Sequence, residues 1–415
     1  MLTRDANAPQ VPDIFESKKE NTMKTEFPIP EEDLVRWRRH VHRHPELSFC
    51  EHQTVAYVEA ELRAMGIDEI RRPTETSLTA DITGTLPATG PVRTIALRAD
   101  MDALPVEEAE GLEFRSENPG VSHVCGHDAH VAILLGTAKV LTALRSTFAG
   151  RVRLIFQHAE ESLPGGARDM VAAGVLEGVD ACVGLHVWND RIGRLSVCTD
   201  RVATTASDAA WITIEGRGTH GSMPHAGIDP IVVGSELVGA LHTIVSRNIA
   251  PDHFVVVSPT VFEAGTVVNV IPQTARIGLN VRTKDADDRA LVRERVYALA
   301  EHVAAGHGAK VKIDWQSGYD AIVQDEGMIA RALRVGKETL PEHLIATRTG
   351  WTASEDFSAF ANLVPSVYLF LGAGGPEEGY HVQNHHPAFR ADEGCLPYGV
   401  AVETAFALDF LAGDR

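Results

Sequence analysis

The chain has 415 residues, enough for two domains of ordinary size, which excludes a single small module. Hydrophobic residues make up 44% and charged residues 23%, as in globular proteins, and no apolar run approaches the ~18 residues of a membrane-crossing helix. Lys plus Arg total 38 against 57 Asp plus Glu, and a formal charge of −19 argues against nucleic acid or anionic lipid as the main partner.

Residues 1 to about 26 are polar, lack the apolar stretch of a secretory signal, and read as a mobile tail. From Glu31, EEDLVRWRRHVHRHPEL places Leu34, Trp37 and Val41 on one helical face and stops at Pro45. A second helix repeats Val55, Val58, Leu62 and Met65 before Gly66. The pattern then changes to short β-rich runs separated by helices: TIALRAD (94–100), a helix over 130–144, VRLIFQ (152–157) and ACVGLHVW (181–188). Such alternation predicts an α/β fold, a mixed but largely parallel sheet flanked by helices.

Residues 206–314 form a different unit, with strands WITIEG, FVVVSPTVFEAG and ARIGLNVRT and two helices starting near Asp229 and Ala286. Two helices on one face of a mostly antiparallel sheet make an inserted α+β domain. The α/β character returns with SVYLFLG (366–372) and a final helix, so the main domain is expected over 27–205 plus 315–415.

Chemistry concentrates at strand ends. Asp100 and Asp102 follow the first buried strand, HVCGHDAH (123–130) precedes the long helix, Glu160 and Glu161 leave the next strand before Pro-Gly-Gly, and His186 sits in VGLHVW. Ligands of open parallel sheets bind beyond the carboxyl ends of strands, and one cation pocket there would explain all four groups. Each alone has a plainer reading. Cys125 beside a helix start is more often packing, Asp128 is as well suited to capping as to catalysis, and paired carboxylates are usually a wet loop. His381, His385 and His386 near the C-terminus add candidates to close the coordination sphere. The 19 histidines are roughly twice average usage, which this pocket would partly explain. The five cysteines, Cys50, Cys125, Cys182, Cys198 and Cys395, contain no close pair and suggest a reducing compartment, hence a cytoplasmic protein. GRGTHG (216–221) formally fits G-x-G-x-x-G, but no helix follows it and a dinucleotide site is rejected.

Taken together, HRHPELSF, LRADMDALPVEE, HVCGHDAH, FQHAEES, GLHVW, THGSMPHAGIDP, AGTVVNVIP, VRT, SEDFSAF and HHPAF resemble the zinc-type metallopeptidase family of aminoacylases, hippurate hydrolases and indoleacetyl-amino-acid hydrolases. The resemblance runs from about Leu34 to the end. It implies a catalytic domain holding two divalent metal ions (zinc, manganese, cobalt or nickel) and an inserted lid that also joins subunits into a homodimer or higher homo-oligomer. Carried onto this chain, it implies Cys125, His127, Glu161, His186 and His385 as metal ligands, Glu160 as general base and Asp102 as the supporting carboxylate. His385 is preferred over His386 because H-x-P is the family spacing. His220 resembles a histidine that reaches a partner subunit's site to hold the oxyanion, and Asn269 and Arg282 resemble contacts for the substrate's polar end.

The implied activity is hydrolysis of small-molecule N-acyl amino acids, including aromatic acyl groups, to a carboxylic acid and a free amino acid. A dipeptidase, carboxypeptidase or N-deacetylase would use the same scaffold. A metal-independent cysteine hydrolase using Cys125 with His127 or His130 is the competing chemistry, and it leaves Glu161, His186 and His385 unexplained. His158 stands where relatives commonly carry Pro, which bears on acyl selectivity. His40, His42 and His44 read as helix-end and surface structure.

Overall fold

The computed structural model describes residues 23–88 and 90–413. Most of the expected tail lies outside the described residues. Its last residues are docked: Lys24 N–H donates to the Thr339 carbonyl at 2.8 Å and Met23 packs on the core.

Two amphipathic helices open the fold. In α1 (Glu31–Arg43) the stripe Leu34, Trp37 and Val41 is buried, with three acids in the first turn and basic residues in the last, both favourable to the helix dipole. Helix α2 (His52–Ala64) buries Val55, Val58 and Leu62. Strands β1 (Ile70–Arg71), β2 (Leu78–Thr83) and β3 (Thr94–Asp100) follow. Helix α3 spans His127–Ala143, starting three residues earlier than expected. The structural cause is Gly126, at φ +95°, where a Cβ would lie 2.4 Å from Val187 Cγ2, so only glycine permits the turn against the sheet. Strand β4 (Arg151–Gln157), helix α4 (Gly166–Ala172) and strands β5 (Ala181–Trp188) and β6 (Leu195–Cys198) complete this half.

The chain then builds a second sheet. Strand β7 (Ala206–Glu215) alternates buried and half-buried residues, as a sheet with one covered face should. Two-residue strands β8 (Thr219–His220) and β10 (Val270–Ile271) pair as a separate ribbon. Strands β9 (Val255–Ala264), β11 (Thr274–Thr283) and β12 (Lys310–Ser317) join β7 in the all-antiparallel order β12-β7-β11-β9. Helices α5 (Pro230–Asn248) and α6 (Ala286–Gly306), capped by Asp229 and Asp285, bury Val233, Leu237, Leu241, Val292 and Val296 with Ile212 and Ile277 in a core of their own. The expected boundary at 314 falls inside β12, which runs on to pair Ser317 with Asp208.

After α7 (Glu326–Thr339), strand β13 (Ile345–Arg348), the single turn α8 (Ser358–Ala361) and strand β14 (Ser366–Gly372) return to the first sheet. Its order is β1-β2-β4-β3-β5-β14-β6-β13, and the four strands β4, β3, β5 and β14 are mutually parallel at its centre. Helix α9 (Leu396–Ala412) packs beside α3. By length and composition Glu393–Ala412 matches a membrane-crossing helix, a point missed from the sequence, but 61% of its apolar window is buried inside the protein. It is the core helix of a globular layer.

Candidate metal centre

The parallel strands deliver their carboxyl ends to one edge, and α3 begins there. Cys125 Sγ lies 3.4 Å from His186 Nε2. His127 Nδ1 is 2.9 Å from the Asp102 carbonyl, which only accepts, so Nδ1 carries a proton and Nε2 is the ring atom left for a metal ion. His186 is fixed the same way by the Val187 carbonyl at 2.6 Å. Glu161 Oε1 stands 3.9 Å from His127 Nε2 and 3.1 Å from His385 Nε2. The sets Cys125, His127, His186 and Cys125, Glu161, His385 and His127, Glu160, Glu161 each bring ligand atoms within 4.8 Å of one another.

These donors fit two adjacent cations. His127 Nε2 is buried with no hydrogen-bond partner, and Glu161 Oε1 has only the His385 ring nitrogen at 3.1 Å beside it, an arrangement that is costly unless something else satisfies them. Charge points the same way. Burial alone would depress His127, yet the Asp100 charge and the Asp102 hydrogen bond outweigh it and hold its pKa at about 10, the sign of a site with surplus negative charge. A divalent ion on Nε2 would take the place of that proton. Thiolate, imidazole and carboxylate together suit zinc and its first-row neighbours.

His385 arrives on a loop docked by its own backbone, where His385 N–H donates to the Val124 carbonyl and Asn384 Nδ2 donates to that of Cys125, both at 2.8 Å. His386 is exposed and its Nδ1 accepts from Ala388 N–H. His381 belongs to none of the clusters.

Asp102 stands behind the ligands. It accepts from Ser48 Oγ at 2.7 Å and Glu161 N–H at 2.9 Å, and its other oxygen is 3.2 Å from His127 Nδ1. Glu160 is buried. Burial, and then the charges of Glu355, Glu161 and Asp356, push its pKa well above the usual carboxylate range, as a proton carrier requires. Tyr319 O–H donates to its carbonyl at 2.5 Å.

His220, Asn269 and Arg282 are not part of this cluster. His220 is exposed in the β8–β10 ribbon, its Nδ1 accepting from Ser222 N–H at 3.1 Å, and Asn269 lies beside it through Gly221 N–H to the Asn269 carbonyl. Arg282 is half-buried and donates to Ser354 Oγ at 3.3 Å; burial lowers its pKa, partly offset by the Asp208 charge.

Two plainer expectations need correction. His42 is not surface structure: it is buried between Asp128 Oδ2 at 2.8 Å and Glu108 Oε1 at 2.9 Å. Asp128 does not cap α3, because Gly126 holds that position and the Asp128 carboxylate is taken by Arg38 Nε at 2.9 Å as well as by His42. Sequence reasoning also passed over Arg98, which is fully buried and binds Asp100, Glu355 and Asp356 at 2.6, 2.9 and 3.1 Å. SEDFSAF was the available signal for two of its partners. His158 is buried with its Nδ1 2.8 Å from Thr76 Oγ1 and Phe49 edge-on at 5.5 Å.

Cysteine chemistry has no support in this geometry. Burial, then the charges of Glu161 and Glu160, push the Cys125 thiol far above its ordinary pKa. His130 cannot act as its base: Nδ1 donates to Asp100 at 2.5 Å and Nε2 accepts from Val187 N–H at 2.8 Å.

A parallel sheet with convergent Cys, His and Glu donors at its carboxyl edge defines a metal-dependent hydrolase. The comparisons name its family. The profile of Peptidase family M20/M25/M40 matches residues 96–409, and the chain belongs to that family. It is 44% identical over 297 residues to an N-acyl-L-amino acid amidohydrolase of Geobacillus stearothermophilus, covering 71% of this chain and 79% of the relative. It is 37% identical over 379 residues to an N-acetyl-L-cysteine deacetylase of Bacillus subtilis, covering 90% and 87%. A solved Bacillus subtilis structure described as a dinuclear metal binding peptidase of the M20 family superposes with a TM-score of 0.78 at 31% identity, covering 92% of this chain and 99% of that one.

Proposed function

We propose that this chain hydrolyses the amide bond of N-acyl amino acids, giving a carboxylic acid and a free amino acid, with two divalent metal ions in the pocket just described. The observation that carries this reading is the buried Glu160 beside five convergent donors. A scaffold that merely stored metal would have no use for an extra carboxylate held ready to be protonated.

Cys125, His127, Glu161, His186 and His385 are the residues that would hold the ions, which when bound lower the pKa of water and polarise an amide carbonyl. Glu160 takes a proton from the attacking water on its carboxylate and passes it to the leaving amine nitrogen. Asp102 fixes the tautomer and orientation of His127 and, through Glu161 N–H, the approach of that carboxylate. Arg282, whose side chain donates to the Ser354 hydroxyl, suits the substrate's carboxylate, and Asn269 its remaining polar atoms.

His220 is too exposed to act where the described chain places it, which supports a site completed by another subunit. The apolar residues Ile231, Phe262, Val267, Val268 and Val270 are all exposed near β9, an edge strand of the inserted sheet, and fit that assembly. We therefore assign the inserted unit, carried on from 314 to the end of β12 at Ser317, as lid and dimerisation domain; a cytoplasmic location rests on the five free cysteines. An N-deacetylase reading is favoured by the Bacillus subtilis relative and differs only in the acyl group.

The test is Glu160→Gln with metal analysis. It should keep its metal while turnover falls about 10²-fold or more, as loss of a general base does. A screen of N-acetyl, N-benzoyl, indoleacetyl and long-chain acyl amino acids by mass spectrometry then assigns the acyl group. Undiminished turnover by Glu160→Gln would overturn the mechanism.

A further inference from the structure

The loop that presents Glu160 and Glu161 passes through Ala159, whose φ of +52° lies in the left-handed region that residues with a Cβ avoid. Such a conformation persists only where its surroundings enforce it. Here the Ala159 carbonyl accepts from Gly166 N–H at 2.9 Å, while Ala159 N–H donates to Glu51 Oε1 at 2.7 Å. Glu51 is fully buried and lies 108 residues earlier in the chain.

The Glu51 carboxyl also faces its own N–H and that of Phe49, so locally it serves the 46–51 turn and not the helix that follows. Glu51 occupies the N-cap position of α2, yet its side chain makes no capping bond. Glu46 does that work instead, accepting from Gln53 N–H at 2.9 Å and Thr54 N–H at 2.8 Å. The second Glu51 oxygen is buried without a hydrogen-bond partner. Burial, assisted by the Asp102 charge, pushes the carboxyl up to about 8. A residue serving only to fill this space would be apolar, because a buried, half-satisfied carboxyl lowers stability.

The same segment braces the neighbouring carboxylate loop. Ala103 N–H donates to the Glu46 carbonyl at 2.8 Å, and Ser48 Oγ donates to Asp102 Oδ2 at 2.7 Å. Residues 46–51 thus form a strap behind both loops that carry the site's carboxylates.

We infer that Glu51 is a positioning residue, acting through the Ala159 N–H to hold the left-handed turn that aims Glu160 and Glu161 into the pocket. The inference rests on reading Glu160 as the base and Glu161 as a ligand. What Glu51 supplies is a hydrogen-bond acceptor at a fixed reach, so Gln should replace it and Ala or Asp should not.

The experiment compares Glu51→Ala, Glu51→Gln and Glu51→Asp in the full-length protein. Each is measured for kcat and KM on an N-acetyl amino acid and for the visible absorption of its Co²⁺-loaded form, which reports ligand geometry independently of turnover. Glu51→Ala should lower kcat about 10²-fold with KM little changed, the scale of a small misplacement of catalytic groups, and should shift the Co²⁺ bands. Glu51→Gln should recover both, since its amide oxygen accepts the same bond. Should the alanine variant fail to fold, Glu51→Asp, too short to reach Ala159, gives the same comparison. Unaltered kcat and Co²⁺ bands in the shortened variants, or a Gln variant as impaired as Ala, would overturn the inference. Glu160→Gln run in parallel separates the two readings: if it turns over normally the base reading fails, and the Co²⁺ bands of the Glu51 variants still decide whether Glu51 places Glu161.

Discussion

Glu403 offers a test of the buried electrostatics that does not depend on substrate. It lies in α9, fully enclosed, with Thr137 Oγ donating to its Oε2 at 2.8 Å, and burial raises its pKa from 4.5 to about 8. With the folded value above the unfolded one, the folded state holds the proton more tightly. Stability is then greatest below the unfolded pKa and declines as pH rises, until the folded group also ionises near 8. At about 1.4 kcal/mol per pKa unit, the interval from about pH 6 to pH 8 removes on the order of 2 kcal/mol. For a chain of this size that corresponds to about 2–3 °C in Tm. Glu403→Gln keeps an acceptor for Thr137 and abolishes the titration. Thermal unfolding of both proteins across this range should show the variant gaining on the wild type by about that amount as pH increases. Other titrating groups are common to both and cancel in the difference. A wild-type-to-variant difference that stays constant over the range would refute an elevated pKa at Glu403.

Arg98→Met should lower stability by about 3–5 kcal/mol, because it strands Asp100, Glu355 and Asp356 in the interior without their guanidinium; denaturant unfolding measures it. Thiol alkylation of the folded protein should modify Cys50, the exposed cysteine, and leave Cys125, Cys182, Cys198 and Cys395, which are buried, unlabelled. Peptide mapping of the labelled protein checks this, and activity lost in step with Cys125 labelling would restore the cysteine mechanism. His220→Ala should lose kcat about 10²-fold or more while remaining folded. Mixed with Glu160→Gln subunits it should regain activity, and failure to complement would remove the contribution across subunits.

The site was legible in sequence to the extent that local order carried it. Cys125 and His127 stand either side of Gly126, Glu160 and Glu161 follow a buried strand, and His186 lies near the end of another, so a parallel sheet brings them to one edge almost automatically. The choice between adjacent residues was not local. Glu160 and Glu161 look alike in sequence, and only the fold puts Glu161 against His385 and Glu160 among Glu355 and Asp356. His42 seemed an exposed helix end until Asp128 and Glu108, each more than 60 residues away, closed around it.

Hydrophobic periodicity and turn chemistry therefore determined the elements, the largely parallel sheet and the separate antiparallel unit, because those depend on neighbours within a few residues. Tertiary structure decided what burial and long-range pairing do to individual polar groups. The tautomers of His127 and His186, the high pKa of Glu160 and the Glu51–Ala159 bond all arise where distant segments exclude water around one another. A carboxyl's proton affinity and an imidazole's free lone pair are set by that enclosure, which is why composition and spacing alone leave them open.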